Sequence, residues 1–311
     1  MSALSEFELI QRYFLPLQGD DASLKRGIGD DCAVIAQAAE ADLLISCDTL
    51  VEGTHFLPAT AAADIGYRAL ATSVSDLAAS GAQPQWFTLA LTCPQANAKW
   101  MAEFAGGLSL AASESAINLI GGDTTRGPLA VTIQVAGTVP TDAAILRSGA
   151  KPGQKLAVSG YLGDAAQGLV NIKHSKATPL VSEFLRPQSR TQLGVALRNL
   201  ATAMIDVSDG LLADAHHIAE NSGVCLKLYS EQLPLSPHLL AQVDPLQAVQ
   251  LALTGGDDYE LLFSFDASQE SLLLDLSERF GVLVTVIGEV VSGKGCQLDD
   301  QFVEAKGYRH F

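Results

Sequence analysis

The stretch LAVTIQVAGTV, running from Leu129 to Val139, decides the fold of the first half of the chain. Leu129, Val131, Ile133, Val135 and Val139 alternate with Ala130, Thr132, Gln134, Ala136 and Thr138, the two-residue period of a strand whose sheet has unlike faces. Working back from it, residues 118–120 form an apolar run into Gly121-Gly122-Asp123, and Trp100, Met101, Phe104 and Leu108 stand at helical spacing within residues 97–115. Residues 86–91 read as a strand. Behind Asp64, the positions Tyr67, Leu70, Ala71, Val74, Leu77 and Ala78 keep the 3.6 period to Gly81, with Arg68, Thr72 and Asp76 on another face. Residues 42–47 read as a buried strand ending at Asp48. Ser5 and Glu8 form a capping-box pattern with Phe7, Ile10 and Phe14 behind it, so a short helix opens the chain.

Downstream the alternation loosens at Pro140, and RSGAKPG at residues 147–153 is a glycine- and proline-rich junction. A new strand follows at 155–159, then helices near 189–201, 209–221 and 268–280 and strands around 225–229, 259–265 and 282–288. A chain of 311 residues exceeds what one hydrophobic core usually serves. Long β segments separated by helices predict two α+β domains, residues 1–140 and 150–311, rather than one doubly wound sheet.

With 48% hydrophobic and 17% charged residues the composition is that of a folded globular protein. A formal charge of -16, without any basic run, argues against nucleic acid as a partner. That charge reads either as surface charge for solubility or as clustered aspartates that meet cations. Cys32, Cys47, Cys93, Cys225 and Cys296 lack zinc or disulfide spacing and read as reduced thiols. The first ten residues lack a signal-peptide pattern and no stretch is long enough to span a bilayer, so the expected setting is cytoplasmic, with no membrane partner.

Six acidic motifs, most beside glycine, recur: Gly29-Asp30-Asp31, Cys47-Asp48-Thr49, Ser75-Asp76, Gly121-Gly122-Asp123, Asp206-Val207-Ser208-Asp209-Gly210 and Gly255-Gly256-Asp257-Asp258. Each alone has an ordinary reading as a helix cap or turn. Together they offer what several hard cations and a polyphosphate require: carboxylates where strands run out, next to residues that let the backbone approach a ligand. Asp206 and Asp209 flank Ser208 at a helix start, offering two carboxylates to metal and a hydroxyl with main-chain N–H groups to phosphate, or else supplying the N-cap. Gly121-Gly122-Asp123 is either a tight turn or a close approach to phosphate. Asp76 stands inside a helix, where aspartate is a poor former, as a solvated side chain or a ligand. His55 and Arg147 are each structural or solvated on one reading, and a substrate contact and a phosphate clamp on the other; Arg126 and Lys25 have weaker claims of the same kind. The chain contains no P-loop, G-x-G-x-x-G, H-R-D, H-E-x-x-H or G-x-S-x-G motif.

Taken in order, GIGDDCA at 27–33, SCDTLVEGTHF at 46–56, SDLAA at 75–79, GGDTTRG at 121–127, RSGAKPG at 147–153, DVSDGL at 206–211 and GGDDYE at 255–260 resemble the thiamine-monophosphate kinase family. The resemblance spans nearly the whole chain. It implies ATP-dependent phosphorylation of thiamine monophosphate to thiamine diphosphate with release of ADP. The wider superfamily, with aminoimidazole ribonucleotide synthetase and selenophosphate synthetase, implies an amino-terminal α+β domain that dimerises through its sheet, giving a homodimer, and a carboxy-terminal α/β domain that completes the site. Carried over by residue, Asp31, Asp48, Asp76, Asp123, Asp206 and Asp209 become magnesium ligands, with oxygens from Ser46 and Cys47; Asp48, Asp76 and Asp209 bear most directly on transfer. Gly122, Asp123, Arg147 and Ser208 would hold ATP, and His55, Asp257 and Tyr308 the thiamine phosphate. Cys47 stands where the family pattern has threonine, and Asp257 where it has glutamate. The competing readings are a sister ATP-dependent synthetase and a non-catalytic acidic protein that binds divalent cations. Residues 1–31 lack the cysteine expected of selenophosphate synthetase, and the chain ends Arg309-His310-Phe311 without the terminal cysteine of a hydrogenase-maturation relative.

Overall fold

The computed structural model describes residues 10–18, 24–26, 34–35 and 40–308. The Ser5–Glu8 capping box and the Gly29-Asp30-Asp31 motif lie outside the described residues. Of the expected opening helix, Ile10–Phe14 and Leu15–Leu17 form short helical turns, with Phe14 buried. The chain divides into two compact units, Met1–Leu77 with Ala82–Asp142, and Ala78–Gly81 with Ala143–Phe311.

In the first unit a four-stranded sheet runs in the order Ala41–Val51, Ala130–Pro140, Gln83–Cys93, Asn118–Arg126. The first two pairings are antiparallel and the last is parallel. The alternation read in residues 129–139 is realised: Val131, Ile133 and Val135 are buried, while Gln134 between them is exposed. Two expectations are corrected here. The strand expected to end at Asp48 continues to Val51, and the strand expected to stop before Gly121 continues to Arg126. Aspartate and glycine are disfavoured in strands and read as terminators, but eleven successive register pairs with Ala130–Pro140 outweigh that preference. The face of helix Ala62–Ala79 that carries Arg68 and Thr72 is packed inward as well. Both side chains are buried, as are Ser73 and Ser75, and Tyr67 donates its hydroxyl to Glu114 of helix Ala98–Glu114 at 2.6 Å.

The second unit is built on a seven-stranded sheet in the order Gln301–Val303, Gly295–Leu298, Cys225–Leu228, Val284–Val291, Lys155–Ser159, Glu260–Phe265, Ala201–Val207. Only Gly295–Leu298 and Cys225–Leu228 pair in parallel. Helices cover both faces. Leu156, Val158, Ile205, Val207 and Leu262 pack with Leu211, Leu212, Ala215 and Ile218 of helix Leu211–Ser222. The alternate positions Ala157, Met204, Leu261, Phe263 and Phe265 pack with Leu193, Leu197 and Leu273 on the other side. Strands buried on both faces lose the apolar–polar alternation and read as continuous apolar runs. That is why residues 201–207 carried no strand expectation although they form one, and the helix expected over 189–201 is only Thr191–Leu197. Among the described residues no helix is long and apolar enough to cross a membrane.

Candidate functional site

In the first unit, alternation along Ala41–Val51 puts Ser46 and Asp48 on the sheet face that carries Val135 and Ile133. The Ser46 hydroxyl donates to the Asp76 carboxylate on helix Ala62–Ala79. Burial first, and then the negative charge of Asp76, push the Asp48 carboxyl up to about 6, against a lowering from the Ser73 hydroxyl. Two carboxylates and a hydroxyl thus share one half-buried spot, and their repulsion is the electrostatic condition that a cation relieves. Cys47 points to the opposite, exposed face, so its thiol stands apart from these oxygens.

Register pairing puts Asp123 beside Ala90, and Ala90 beside Thr132, whose hydroxyl meets that of Thr49 at 2.9 Å. Asp123 is therefore on the sheet face of Cys47, opposite Asp48, and this unit does not bring it together with Asp48 and Asp76. Gly122 has a local reason to be glycine, because at φ +153° an added Cβ would lie 1.9 Å from the Leu89 carbonyl oxygen. His55 closes the turn after Val51. Its Nδ1 accepts the Val51 N–H at 3.0 Å, which leaves the ring proton on Nε2.

In the second unit four of the expected residues meet around one loop. Asp257 donates its main-chain N–H to the Ser208 carbonyl at 2.8 Å, and Tyr308 donates its own to the Asp209 carbonyl at 3.0 Å. Asp257 and Tyr259 both take positive φ, 64° and 52°, and the Tyr259 hydroxyl donates to the Asp257 carboxylate at 3.2 Å. Non-glycine residues in this region carry backbone strain that the surroundings must hold. Neither Asp206, Ser208 nor Asp209 caps the following helix. The N-cap is Gly210, without a side-chain cap, and the acceptor comes from inside the helix: Oδ2 of Asp214 takes the N–H groups of Ser208, Asp209 and Gly210 at 3.1, 3.2 and 3.1 Å. The N–H groups of Ser208, Asp209 and Gly210 are thereby satisfied within the protein and are not offered to phosphate. Burial, and then the charges of Asp206 and Asp209, push the Asp214 carboxyl up to about 8, opposed by those N–H groups.

Asp214 and Ser73 are the site-shaping residues that motif reading missed. No motif flagged Asp214, whose partners are the N–H groups of Ser208 and Asp209 before the helix and of the N-cap Gly210. The main chain of Arg147 stands away from this loop. Its carbonyl accepts from Ser222 Oγ at 3.3 Å, at the far end of helix Leu211–Ser222, and twelve helical residues span about 18 Å.

Asp258, next to Asp257, faces elsewhere: its carboxylate accepts the Gly163 N–H at 3.1 and 2.9 Å, and burial raises it well above the usual carboxylate range. It lines a cavity of about 430 Å³ with Asp164, Glu183, Arg190, His238 and Glu260. There Arg190 grips Glu260 through Nε at 2.8 Å and Nη2 at 2.5 Å. Among the described residues no group of three or more histidine, cysteine, aspartate or glutamate side chains forms a metal cage.

Comparison with known proteins places this architecture. The N-terminal domain of AIR synthase related proteins matches residues 29–139, and their C-terminal domain matches residues 151–301. Fold and site thus define the two-domain AIR synthase related class. Within it, the chain is 42% identical over 321 residues to thiamine-monophosphate kinase of Escherichia coli K12, with 99% of each covered. The solved thiamine-monophosphate kinase of Stenotrophomonas maltophilia K279a superposes with a TM-score of 0.87 at 41% identity, over 91% of this chain and 93% of that one. AaThiL complexed with AMPPCP and TMP superposes with a TM-score of 0.79 at 32% identity, covering 89% of both chains. The chain belongs to the thiamine-monophosphate kinase family.

Proposed function

We propose that this chain transfers the γ-phosphoryl group of ATP directly to the phosphate of thiamine monophosphate, giving thiamine diphosphate and ADP, with magnesium ions bound. The observation that carries the reading is the Ser46, Asp48 and Asp76 set, in which a carboxyl is lifted to about 6 by burial and a second carboxylate. Magnesium prefers oxygen ligands, and the donors here are carboxylate and hydroxyl oxygens with the Cys47 thiol turned away, so they fit that ion. When bound, the ions neutralise charge between two polyanions that otherwise repel. The central carboxylates are Asp48 and Asp76 in the first unit, with Ser46 and the main chain of Cys47, and Asp209 with Asp206 in the second; Asp31 and Asp123 are further ligands, Asp123 from the opposite sheet face. Gly122, Asp123, Arg147 and Ser208 hold ATP, with Arg147 meeting phosphate as a charged donor. His55, Asp257 and Tyr308 hold thiamine monophosphate, and the Nε2–H of His55 suits an anionic phosphate.

The accepting oxygen is already anionic, so no strong general base is needed, and catalysis rests on in-line positioning and electrostatics. The active form is a homodimer joined through the first unit's sheet. The exposed face of its edge strand supports this, because Leu43 and Ile45 are 37% and 54% exposed there and no charged side chain falls between Leu43 and Thr49 on that face. The four described free thiols and the need for ATP suit a cytoplasmic setting.

Incubation of the purified protein with thiamine monophosphate and ATP, with and without magnesium, tests the reading by chromatography. Stoichiometric thiamine diphosphate and ADP only with magnesium is the expected result; absence of product from folded protein refutes it. A protein-bound phosphate trapped from γ-labelled ATP would overturn the direct route.

A further inference from the structure

We propose that Asp214 is the positioning residue that fixes the path of the Asp206–Gly210 loop, so that its side chains can meet a cation together. The inference rests on the function proposed above. The loop before helix Leu211–Ser222 must be held in one path for its side chains to meet a ligand together. Here the three N–H groups of Ser208, Asp209 and Gly210 converge on one oxygen of Asp214, a side chain 2% exposed. The loop's carbonyls are engaged as well, that of Ser208 by the Asp257 N–H and that of Asp209 by the Tyr308 N–H. Donors and acceptors of this main chain are thus spent on fixing its path. The loop is left to meet a ligand with the side chains of Asp206, Ser208 and Asp209. An anion gains no main-chain donor from residues 208–210, whereas a cation finds two carboxylates on a frame that cannot turn its N–H groups toward it. Asp214 touches no reacting atom in this scheme; it acts through the conformation of the loop.

The test uses the full chain with Mn2+ as probe and no nucleotide, reading free Mn2+ by electron paramagnetic resonance, with amide hydrogen exchange over residues 206–210. Asp214→Ala should weaken Mn2+ binding by about tenfold or more, the usual cost of losing a group that orients a metal ligand, and should speed exchange of that segment. Asp214→Asn keeps an acceptor oxygen and should stay within about threefold of the parent in affinity. Parent-like Mn2+ affinity in Asp214→Ala with an intact near-ultraviolet circular dichroism spectrum overturns the inference, as does equal loss in both variants. If Asp214→Ala does not fold, Asp214→Glu, which displaces the carboxylate by one methylene, takes its place with the same expected and overturning results. A parent protein that binds Mn2+ as expected but makes no thiamine diphosphate refutes the proposed function and leaves the positioning role standing.

Discussion

The main-chain N–H of Asp257 is held by the carbonyl of Ser208 at 2.8 Å, so the loop before strand Glu260–Phe265 and the loop before helix Leu211–Ser222 are one construction. Gly256 makes the contact possible. Its φ is +68°, and an added Cβ would stand 2.6 Å from that same Ser208 carbonyl oxygen. Gly256→Ala should therefore cost about 1–2 kcal/mol from the left-handed conformation and more from the displaced carbonyl. Its kcat/KM for thiamine monophosphate should fall by at least about tenfold, a loss of roughly 1.4 kcal/mol in transition-state stabilisation. Steady-state kinetics with urea unfolding measures both, and parent-like values in each would show that the two loops are not coupled.

Asp48 trades stability for function. Its carboxyl titrates near 3.8 when unfolded and about 6 when folded, so between these values the folded state holds more proton and stability falls as pH rises. Asp48→Asn should abolish turnover and yet raise the stability of the metal-free protein above pH 6. The gain should be on the order of 1–2 kcal/mol, discounted for the side chain's partial exposure, and should vanish toward pH 4. Thermal melts of parent and variant across that range give the sign directly.

For Asp209 the expectation differs, because the loop is held by the main chain of Asp209, through the Tyr308 contact and Asp214, and not by a cap from its side chain. Asp209→Asn should leave the melting temperature within about 2 °C of the parent, as small changes at such sites do. Turnover should drop by about two orders of magnitude or more, in line with the loss of a charge-stabilising group. A variant with full activity counts against Asp209 as a magnesium ligand.

Arg190 and Glu260 form a largely buried two-point ion pair, with side chains 17% and 6% exposed. Arg190→Ala leaves Glu260 buried with only the Ser159 hydroxyl for company and should destabilise the protein by about 3–5 kcal/mol. Denaturant titration should show a lower midpoint; an unchanged midpoint would mean that water replaces the guanidinium at no cost.

Legibility in the sequence followed the physics of burial. Residues 129–139 were readable because one face of their sheet is buried and the other is not. Residues 201–207 were not, because a strand buried on both faces offers no alternation to distinguish it from a buried helix. The aspartate motifs were visible, and so was the grouping of Ser208 and Asp209 at a helix start. Their local geometry was hidden. Asp48 and Asp123 each follow strand-like runs, yet only the register of long strands shows that they face opposite ways. Asp214 looks like any aspartate in a first helical turn until its carboxylate is seen to reach back to three N–H groups.

The contact between Tyr308 and Asp209 bears on how the site is made during synthesis. A nascent chain that has emerged as far as strand Gln301–Val303 already contains every carboxylate of the Asp206–Gly210 loop, but lacks the N–H that takes up the Asp209 carbonyl. The loop's frame is closed from downstream, so ribosome-bound chains should carry the sheet before they carry the finished loop.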